Sequence, residues 1–297
     1  MFNYNNLRPV YIFARFRFVR LISKQFKIMK KILLKNKNRI SKIEKETVMV
    51  KRYNPIPSDE ASVNFKENNS EILNQLEIKG LHTGINLKNN VLDSLLLLSK
   101  NSPLKHLRTN TLFSNLEEVN EYNKDNNKPC CLVELIDANS KKLSELDFLI
   151  DKISRDKNLM KLANNYLGKV SKIYNRLSWT TVCNSESNWR EKEHTVSFHY
   201  DVHDYGYVYA FFYLTDCDKM SGAHELILGS HRSKSFKHLI TSVNKFSENE
   251  LQKYYSIKQF KIIEGNAGCG FIEDTSAFHK LHAPKTKPRL ALQIRYH

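Results

Sequence analysis

The sequence predicts an α+β protein whose C-terminal half forms a double-stranded β-helix, a jelly-roll of the cupin-like type, with flanking helices in the N-terminal half. After Gly168 the chain carries seven short runs rich in β-branched and aromatic residues, separated by turn-forming clusters. Such runs are typical of a two-sheet or closed antiparallel β fold. The chain has no GxGxxG or P-loop motif and no alternation of strands with helices, which argues against a nucleotide-binding α/β sheet.

The first 43 residues form a strongly basic segment. They contain twelve Lys or Arg and no Asp or Glu, and they account for most of the formal charge of +16. The rest of the chain keeps 35 basic and 31 acidic residues, so it is nearly neutral. Apolar residues recur in the segment at roughly helical spacing, which predicts a basic amphipathic helix: Phe13, Phe16, Val19 and either Ile22 or Phe26.

Several interpretations of this basic tail stay open. The helix can lie on an anionic membrane surface, act as a mitochondrial targeting peptide or touch nucleic acid, and the tail can equally be a solvated segment without fixed structure. Translation that starts at Met29 would remove the preceding residues. Because the body is nearly neutral, we expect no nucleic-acid partner for it. Two prolines in KRYNPIPSDE, residues 51–60, predict a linker, so we expect a tail and linker at 1–60 and a single domain at 61–297.

The cysteines and the hydropathy pattern predict a cytoplasmic protein. Five cysteines without CxxC spacing, including the adjacent Cys130 and Cys131, do not suit a disulfide framework, which indicates a reducing compartment. No run of 18 apolar residues is present, so we expect no membrane-spanning helix. The N-terminus also lacks the apolar core and cleavage site of a secretory signal. Membrane contact, where it occurs, is expected only through the basic tail.

Residues 61–168 predict the helical part of the domain and residues 169–297 its β core. The segment 84–100, GINLKNNVLDSLLLLSK, has a Leu-rich stripe, and the segment 144–168 ends on Gly168, a residue suited to a helix C-cap. We expect the Leu and Phe residues of both segments to form core. The expected β runs are LSWTTVC, HTVSFHYD, YVYAFFYLT, HELILG, FKIIEG, GCGFIED and RLALQIRYH.

The run HTVSFHYD carries the first candidate for a metal site. Alternate residues of a strand face the same side, so His199 and Asp201 can bind one metal ion. A second, distant histidine would complete a triad of two histidines and one carboxylate, which suits Fe(II) and leaves coordination positions open. On its own a His-x-Asp pair is also compatible with an ordinary strand end.

Further motifs follow in order. His279 precedes Arg289 by ten residues, and Arg289 opens the apolar run RLALQIRY. Together the segments FHYD, AFFYLTD, GAHELILGSHR, GFIEDTSAFHK and PRLALQIRY resemble the phytanoyl-CoA dioxygenase family of Fe(II)- and 2-oxoglutarate-dependent oxygenases. The resemblance covers roughly residues 150–297, whereas residues 1–80 match no motif of the family.

The resemblance implies a site and an activity. His199, Asp201 and His279 would hold Fe(II), and Arg289 would bind the 5-carboxylate of 2-oxoglutarate. With O2, such an enzyme hydroxylates a small organic molecule and releases succinate and CO2. Neutral imidazoles and an ionised carboxylate suit Fe(II), and the planar guanidinium suits a carboxylate. Related halogenases lack the carboxylate ligand, so Asp201 favours hydroxylation or a related oxidation.

Two neighbouring residues compete for these roles. His282 lies three residues after His279, so the two face opposite sides of a strand and only one can face the metal. The spacing from Asp274 and to Arg289 matches the family for His279, and His282 remains the alternative. Arg295 shares a face with Arg289 but lies six residues, about 20 Å, further along, so we expect it not to reach the same carboxylate.

The remaining polar candidates receive weaker assignments. We expect His203 and Asp204 to be turn or mouth residues and His224 and His231 to be structural, while Trp179, Thr181 and Trp189 are either pocket or core residues. Two other functions stay open. One is a jelly-roll without oxygenase activity, with or without metal, because a fold does not determine chemistry. The other is a module whose basic tail is directed to a membrane or to nucleic acid.

Overall fold

The computed structural model describes residues 61–100, 102–126, 132–136, 145–168, 170, 172–183, 196–201, 206–235, 237–238 and 245–297. The basic tail and linker, with the amphipathic helix expected there, lie outside the described residues, as do His203, Asp204 and Trp189. Within the described part, no helix has the length and apolar character needed to span a membrane.

Two antiparallel sheets contain the strands of the described chain. The strands are β1 (Val63–Phe65), β2 (Leu81–Leu87), β3 (Leu104–His106), β4 (Leu112–Phe113), β5 (Leu132–Leu135), β6 (Ile173–Thr180), β7 (Val208–Tyr213), β8 (His224–Ile227), β9 (Phe260–Ile263), β10 (Cys269–Glu273), β11 (His279–Leu281) and β12 (Arg289–Tyr296). The large sheet has the order β1-β2-β10-β7-β12-β6-β5-β3-β4, and the small sheet has the order β11-β8-β9.

The connectivity of the C-terminal strands is that of a double-stranded β-helix. From β6 onward the chain crosses repeatedly between the sheets: β7, β10 and β12 join β6 in the large sheet, and β8, β9 and β11 form the small one. The segment 196–201 extends the small sheet through an isolated bridge between His199 and His279 of β11. Strands β6, β7, β10 and β12 of the large sheet thus face β8, β9, β11 and the segment 196–201 of the small sheet. This arrangement confirms the predicted fold class.

The N-terminal part differs from its prediction. The described residues of 61–168 form five short strands as well as helices, and GINL belongs to β2 rather than to the helix that follows. β2 pairs with β10, and β5 pairs with β6, so both extend the large sheet. Their partners lie far away in the sequence, and therefore a local helical pattern could not reveal them.

Five helices of the described chain pack with the large sheet, and a sixth, short helix packs beside the small sheet. The helices are α1 (Asn69–Lys79), α2 (Asn89–Lys100), α3 (Leu116–Asp125), α4 (Glu145–Ser154), α5 (Lys157–Leu167) and α6 (Glu248–Leu251). The expected helix over 144–168 is two helices, because Asp156 caps the start of the second. The second helix, α5, ends at Gly168, whose φ of +86° is a backbone conformation that favours glycine.

The large sheet is buried on both faces. Leu177, Leu290 and Leu292 belong to the core that includes the helices. Phe211, Phe271 and Ala291 belong to the core of the barrel interior. Successive residues of a strand face opposite sides, so the run RLALQIRY of β12 serves both cores. The inner face of this sheet also carries the polar groups of the candidate site.

Asp156 joins the helical layer to the edge of the sheet. Its side chain is fully buried. One carboxylate oxygen accepts hydrogen bonds from the backbone N–H groups of Asn158 and Leu159, at 2.8 and 3.2 Å. The other accepts from those of Ser62 and Val63, at 2.6 and 3.2 Å. The same carboxylate therefore caps α5 and anchors β1.

Replacement of Asp156 by Ala is expected to lower the free energy of unfolding by about 3 kcal/mol or more, because it removes a helix cap and leaves backbone donors without partners in the interior. Urea denaturation measures the loss. Asn68→Ala is the matched control, since Asn68 caps α1 at an exposed position and should cost only about 1 kcal/mol. Equal losses for the two variants would contradict the anchoring role.

Candidate metal and anion site

Three predicted ligand residues meet at one end of the barrel. His199, Asp201 and His279 each present one ligand atom, and these atoms lie within 4.8 Å of one another. The backbone holds this arrangement: His199 N donates to His279 O at 2.9 Å, and His279 N donates to His199 O at 2.8 Å. Asp201 N donates to Thr275 O at 2.9 Å, in the loop before β11. Pairing between the two segments thus creates a candidate metal site.

The protonation of both imidazoles suits a metal ion. Nδ1 of His199 lies 2.9 Å from Ser197 O, and Nδ1 of His279 lies 3.0 Å from Ala277 O. A carbonyl can only accept, so each Nδ1 carries the proton and each Nε2 has a lone pair for a metal. Burial, and then the neighbouring His279, lower the pKa of His199 to about 3, and burial lowers the pKa of His279. Two neutral nitrogens and one carboxylate match the donors that Fe(II) prefers.

His282, the alternative ligand, points elsewhere. Its Nε2 lies 2.7 Å from Glu225 Oε2, and Lys280 Nζ lies 3.1 Å from the same oxygen. These contacts engage His282 in an ion-pair cluster on the opposite side of β11. The structure therefore brings His279, and not His282, to His199 and Asp201, while iron binding by the three residues remains a prediction.

The two histidines can be distinguished by metal titration. We expect His279→Ala to weaken Fe(II) binding more than about a hundredfold. The loss of a residue that only supports a ligand weakens metal binding about ten- to a hundredfold, and this variant removes a ligand itself. His282→Ala should leave the affinity unchanged. Anaerobic calorimetry with Fe(II) measures both variants, and circular dichroism checks that each is folded. Loss of binding in His282→Ala with retention in His279→Ala would reverse the assignment.

Arg289 opens β12 as a buried cation. Its side chain donates from Nη1 to Gly222 O at 2.6 Å, and Nη2 lies 3.5 Å from Thr180 Oγ1. Its Nε has no hydrogen-bond partner, and no carboxylate pairs with the guanidinium in the part of the chain that the structure describes. The ring of Tyr213 lies 5.8 Å from the guanidinium carbon. A buried, uncompensated charge is costly, so this environment is suited to an anion.

His224 links the metal site to Arg289. Its ring stacks on that of His279 at 5.3 Å, inside the barrel. Burial, and then the charge of Arg289, lower the pKa of His224 to about 3, while Asp201 opposes the shift. His224 therefore lies within electrostatic reach of both ends of the site. Sequence analysis gave it only a structural role, because nothing in HELILG shows which side of β8 faces the barrel.

Glu273 is a site residue that sequence analysis missed. It is fully buried, and its Oε2 lies 2.9 Å from His224 Nε2 in a direction that forms no hydrogen bond. Burial, together with the charges of Asp201 and Asp274, raises the pKa of Glu273 to about 8, while His279 opposes the shift. The carboxyl is therefore neutral at pH 7. Glu273 lies two residues after Phe271 on β10, so both side chains face the barrel interior. This spacing was the one sign in the sequence that Glu273 is an interior residue.

The raised pKa of Glu273 predicts a pH-dependent stability. Between pH 4.5 and 8 the folded state keeps a proton that the unfolded state has lost, so the free energy of unfolding falls as pH rises, by about 1.4 kcal/mol per pH unit, and levels off above pH 8. Glu273→Gln removes this contribution. Urea denaturation of both proteins with a chelator should show a variant whose relative stability grows from pH 5 to 8. A constant difference would contradict the assignment.

Three other predicted residues lie outside the triad, in core or structural contacts. Trp179 packs against the core on the helical side of the sheet, and Thr181 Oγ1 accepts a hydrogen bond from Asn123 at 3.2 Å. His231 Nε2 lies 3.2 Å from Glu77 O, so His231 contacts the backbone of α1. Arg295 lies opposite Tyr174 on the neighbouring strand, whereas Arg289 lies opposite Thr180.

Comparisons with known proteins give only remote structural similarity. No protein-family model and no curated protein matches the chain. The structure is similar to the non-heme α-ketoglutarate-dependent epimerase SnoN from nogalamycin biosynthesis, with 12% identity, a TM-score of 0.47, and coverage of 77% of this chain and 82% of that one. It is also similar to EctD from S. alaskensis with bound Fe, at 13% identity, a TM-score of 0.46, and coverage of 81% and 82%. The non-heme monooxygenase ThoJ follows at 12% identity, a TM-score of 0.44, and 76% coverage of each chain. Similarities of this size carry no argument about activity, which rests on the site itself.

Proposed function

We propose that the protein is an Fe(II)- and 2-oxoglutarate-dependent dioxygenase that hydroxylates a small organic molecule. One observation carries this proposal: a metal-type triad and a buried arginine that has no carboxylate partner among the described residues lie in one barrel interior, with neutral His224 between them. A ligand that chelates a metal at one end and carries a carboxylate at the other satisfies both. 2-Oxoglutarate is such a ligand. The phytanoyl-CoA dioxygenase-like subtype is the finer proposal, supported by the ordered sequence motifs.

The residues around Arg289 suit the far carboxylate of 2-oxoglutarate. The guanidinium offers a planar set of donors, and Thr180 adds a hydroxyl from the paired position on β6. Aromatic rings of Phe211, Tyr213 and Phe271 line this part of the interior and exclude water. Exclusion of water strengthens the ion pair between guanidinium and carboxylate.

Neutral groups between the two ends favour an anionic ligand. A charged carboxylate at Glu273 would repel 2-oxoglutarate, but the raised pKa keeps this side chain protonated at pH 7. Its proton makes Glu273 a hydrogen-bond donor instead of a second negative charge inside the barrel. His224, also neutral, stacks against His279 and limits the rotation of its ring. These residues bind and orient the cosubstrate.

The triad residues His199, Asp201 and His279 would hold Fe(II). With 2-oxoglutarate and O2, the iron supplies the oxidation of an unactivated C–H bond, with succinate and CO2 as co-products. The protein contributes orientation through two rigid backbone-paired segments and excludes bulk water through the aromatic core of the barrel. A small-molecule substrate is the partner that this enclosed site suits.

Variants of Arg289 test the proposed function. A hydrogen bond to a charged group contributes about 1.5 to 3 kcal/mol, so Arg289→Lys, which keeps the charge but loses the planar fork, should weaken 2-oxoglutarate binding roughly ten- to a hundredfold. Arg289→Ala should weaken it more. Anaerobic calorimetry of the Fe(II)-loaded protein gives the affinity, and succinate release in air gives the activity.

Two measurements serve as controls. Fe(II) affinity without 2-oxoglutarate should stay the same in both variants, because Arg289 is not a ligand. Arg232→Lys, at an exposed arginine, should leave 2-oxoglutarate affinity unchanged. Wild-type protein that binds Fe(II) but neither binds 2-oxoglutarate nor releases succinate would refute the oxygenase proposal in favour of a metal-binding jelly-roll without this activity.

A further inference from the structure

Two further arginines lie on the same inner face of the large sheet as Arg289. Arg295 shares this face because it is six residues further along β12, an even number. The register pairs Gln293 of β12 with Arg176 of β6, and Arg295 with Tyr174. Residues paired across antiparallel strands project to the same face, so Arg176 and Arg295 are diagonal neighbours, within reach of each other's long side chains.

These two arginines lie at the metal end of the barrel. Tyr209 of β7 is opposite Arg295, and Arg295 Nη1 lies 3.5 Å from its hydroxyl. Tyr209 also lies opposite Glu273 of β10, and its ring packs edge-on against that of Tyr207, whose hydroxyl donates a hydrogen bond to Asp201 O. Arg295 thus lies close to the segment that carries Asp201 of the triad. Arg289, in contrast, lies at the opposite end of β12.

Arg176 has no anionic partner among the residues that the structure describes. Its Nε is buried without a hydrogen bond, and it forms no ion pair within the described residues, although the residue as a whole is half-buried. Glu134 of β5, opposite Ser178 on the same face, does not pair with it. Arg295 lies over the ring of Tyr174, 4.4 Å from its centroid. A partly buried guanidinium without an anionic partner is costly, so Arg176 favours an anion within its reach on this face of the sheet.

We propose that the primary substrate is an anion whose carboxylate, phosphate or sulfate group binds to Arg176 and Arg295 beside the metal triad. The planar donors of guanidinium recognise the oxygens of all three groups, and the half-buried amide of Gln293 next to Arg176 adds a further donor. The assignment of this anion as the substrate rests on the proposed function. The existence of the anion site rests on the arginines alone.

Sulfate titration tests the anion site directly. The full-length protein is saturated anaerobically with Fe(II) and 2-oxoglutarate, so that Arg289 is occupied, and sodium sulfate is added in a calorimeter at constant ionic strength. We expect saturable binding to the wild type, a loss of about tenfold or more in Arg176→Gln, and a smaller loss in Arg176→Lys. Arg232→Gln, at an exposed arginine, should bind like the wild type. No saturable binding to the wild type, or equal affinity in Arg176→Gln, would overturn the proposal.

A paired substrate screen tests the substrate class. Small carboxylic acids are compared with their primary amides in the succinate-release assay. We expect that acids stimulate turnover and their amides do not, and that Arg176→Gln loses this preference while it keeps 2-oxoglutarate affinity. Equal stimulation by amides would refute an anionic substrate. The sulfate comparison is repeated without iron or 2-oxoglutarate, so the loss caused by Arg176→Gln reports on the anion site even where the oxygenase proposal fails.

Discussion

The antiparallel pairing of β12 with both β6 and β7 fixes the two cores of the protein and the positions of the site residues. Eight consecutive residues of β12 pair with β6, and six pair with β7, so the register of the strand is held from both sides. A slip of one residue would move Leu290 and Leu292 from the helical core into the barrel and turn the arginines outward. Burial of the apolar face of β12 in the helical core therefore directs the arginines on its other face into the barrel.

Burial determines the charges inside the barrel. Removal from water keeps His199, His224 and Glu273 neutral, whereas the guanidinium of Arg289 keeps its charge because arginine does not lose its proton in proteins. Among the described residues that face the interior, the arginines therefore keep their positive charge, and Asp201 supplies the triad carboxylate that a metal ion would compensate. Such a balance favours a divalent metal and anionic ligands together, and it connects the proposed cosubstrate with the proposed substrate class.

Much of the site was predictable from local pattern, because its residues follow strand parity and motif spacing. His199 and Asp201 lie two residues apart, and His279 precedes Arg289 in the order that the family resemblance requires. Glu273 and Arg176 were not found, since a buried acid and an arginine in a strand look like surface residues until the facing layer is known. The role of His224 was missed for the same reason.

Local residue patterns in the sequence were enough to predict the fold class and the positions of most C-terminal strands, because these follow the alternation of apolar residues, and the family resemblance supplied the candidate residues of the triad. Long-range strand pairing settled the remaining features. It placed part of a segment expected to be helical in β2, since the partner strand β10 lies far along the chain. It also distinguishes His279 from His282. The bridge between His199 and His279 directs the His279 imidazole toward Asp201, whereas the His282 imidazole contacts Glu225. Pairing over long sequence distances supplies information that no local window contains.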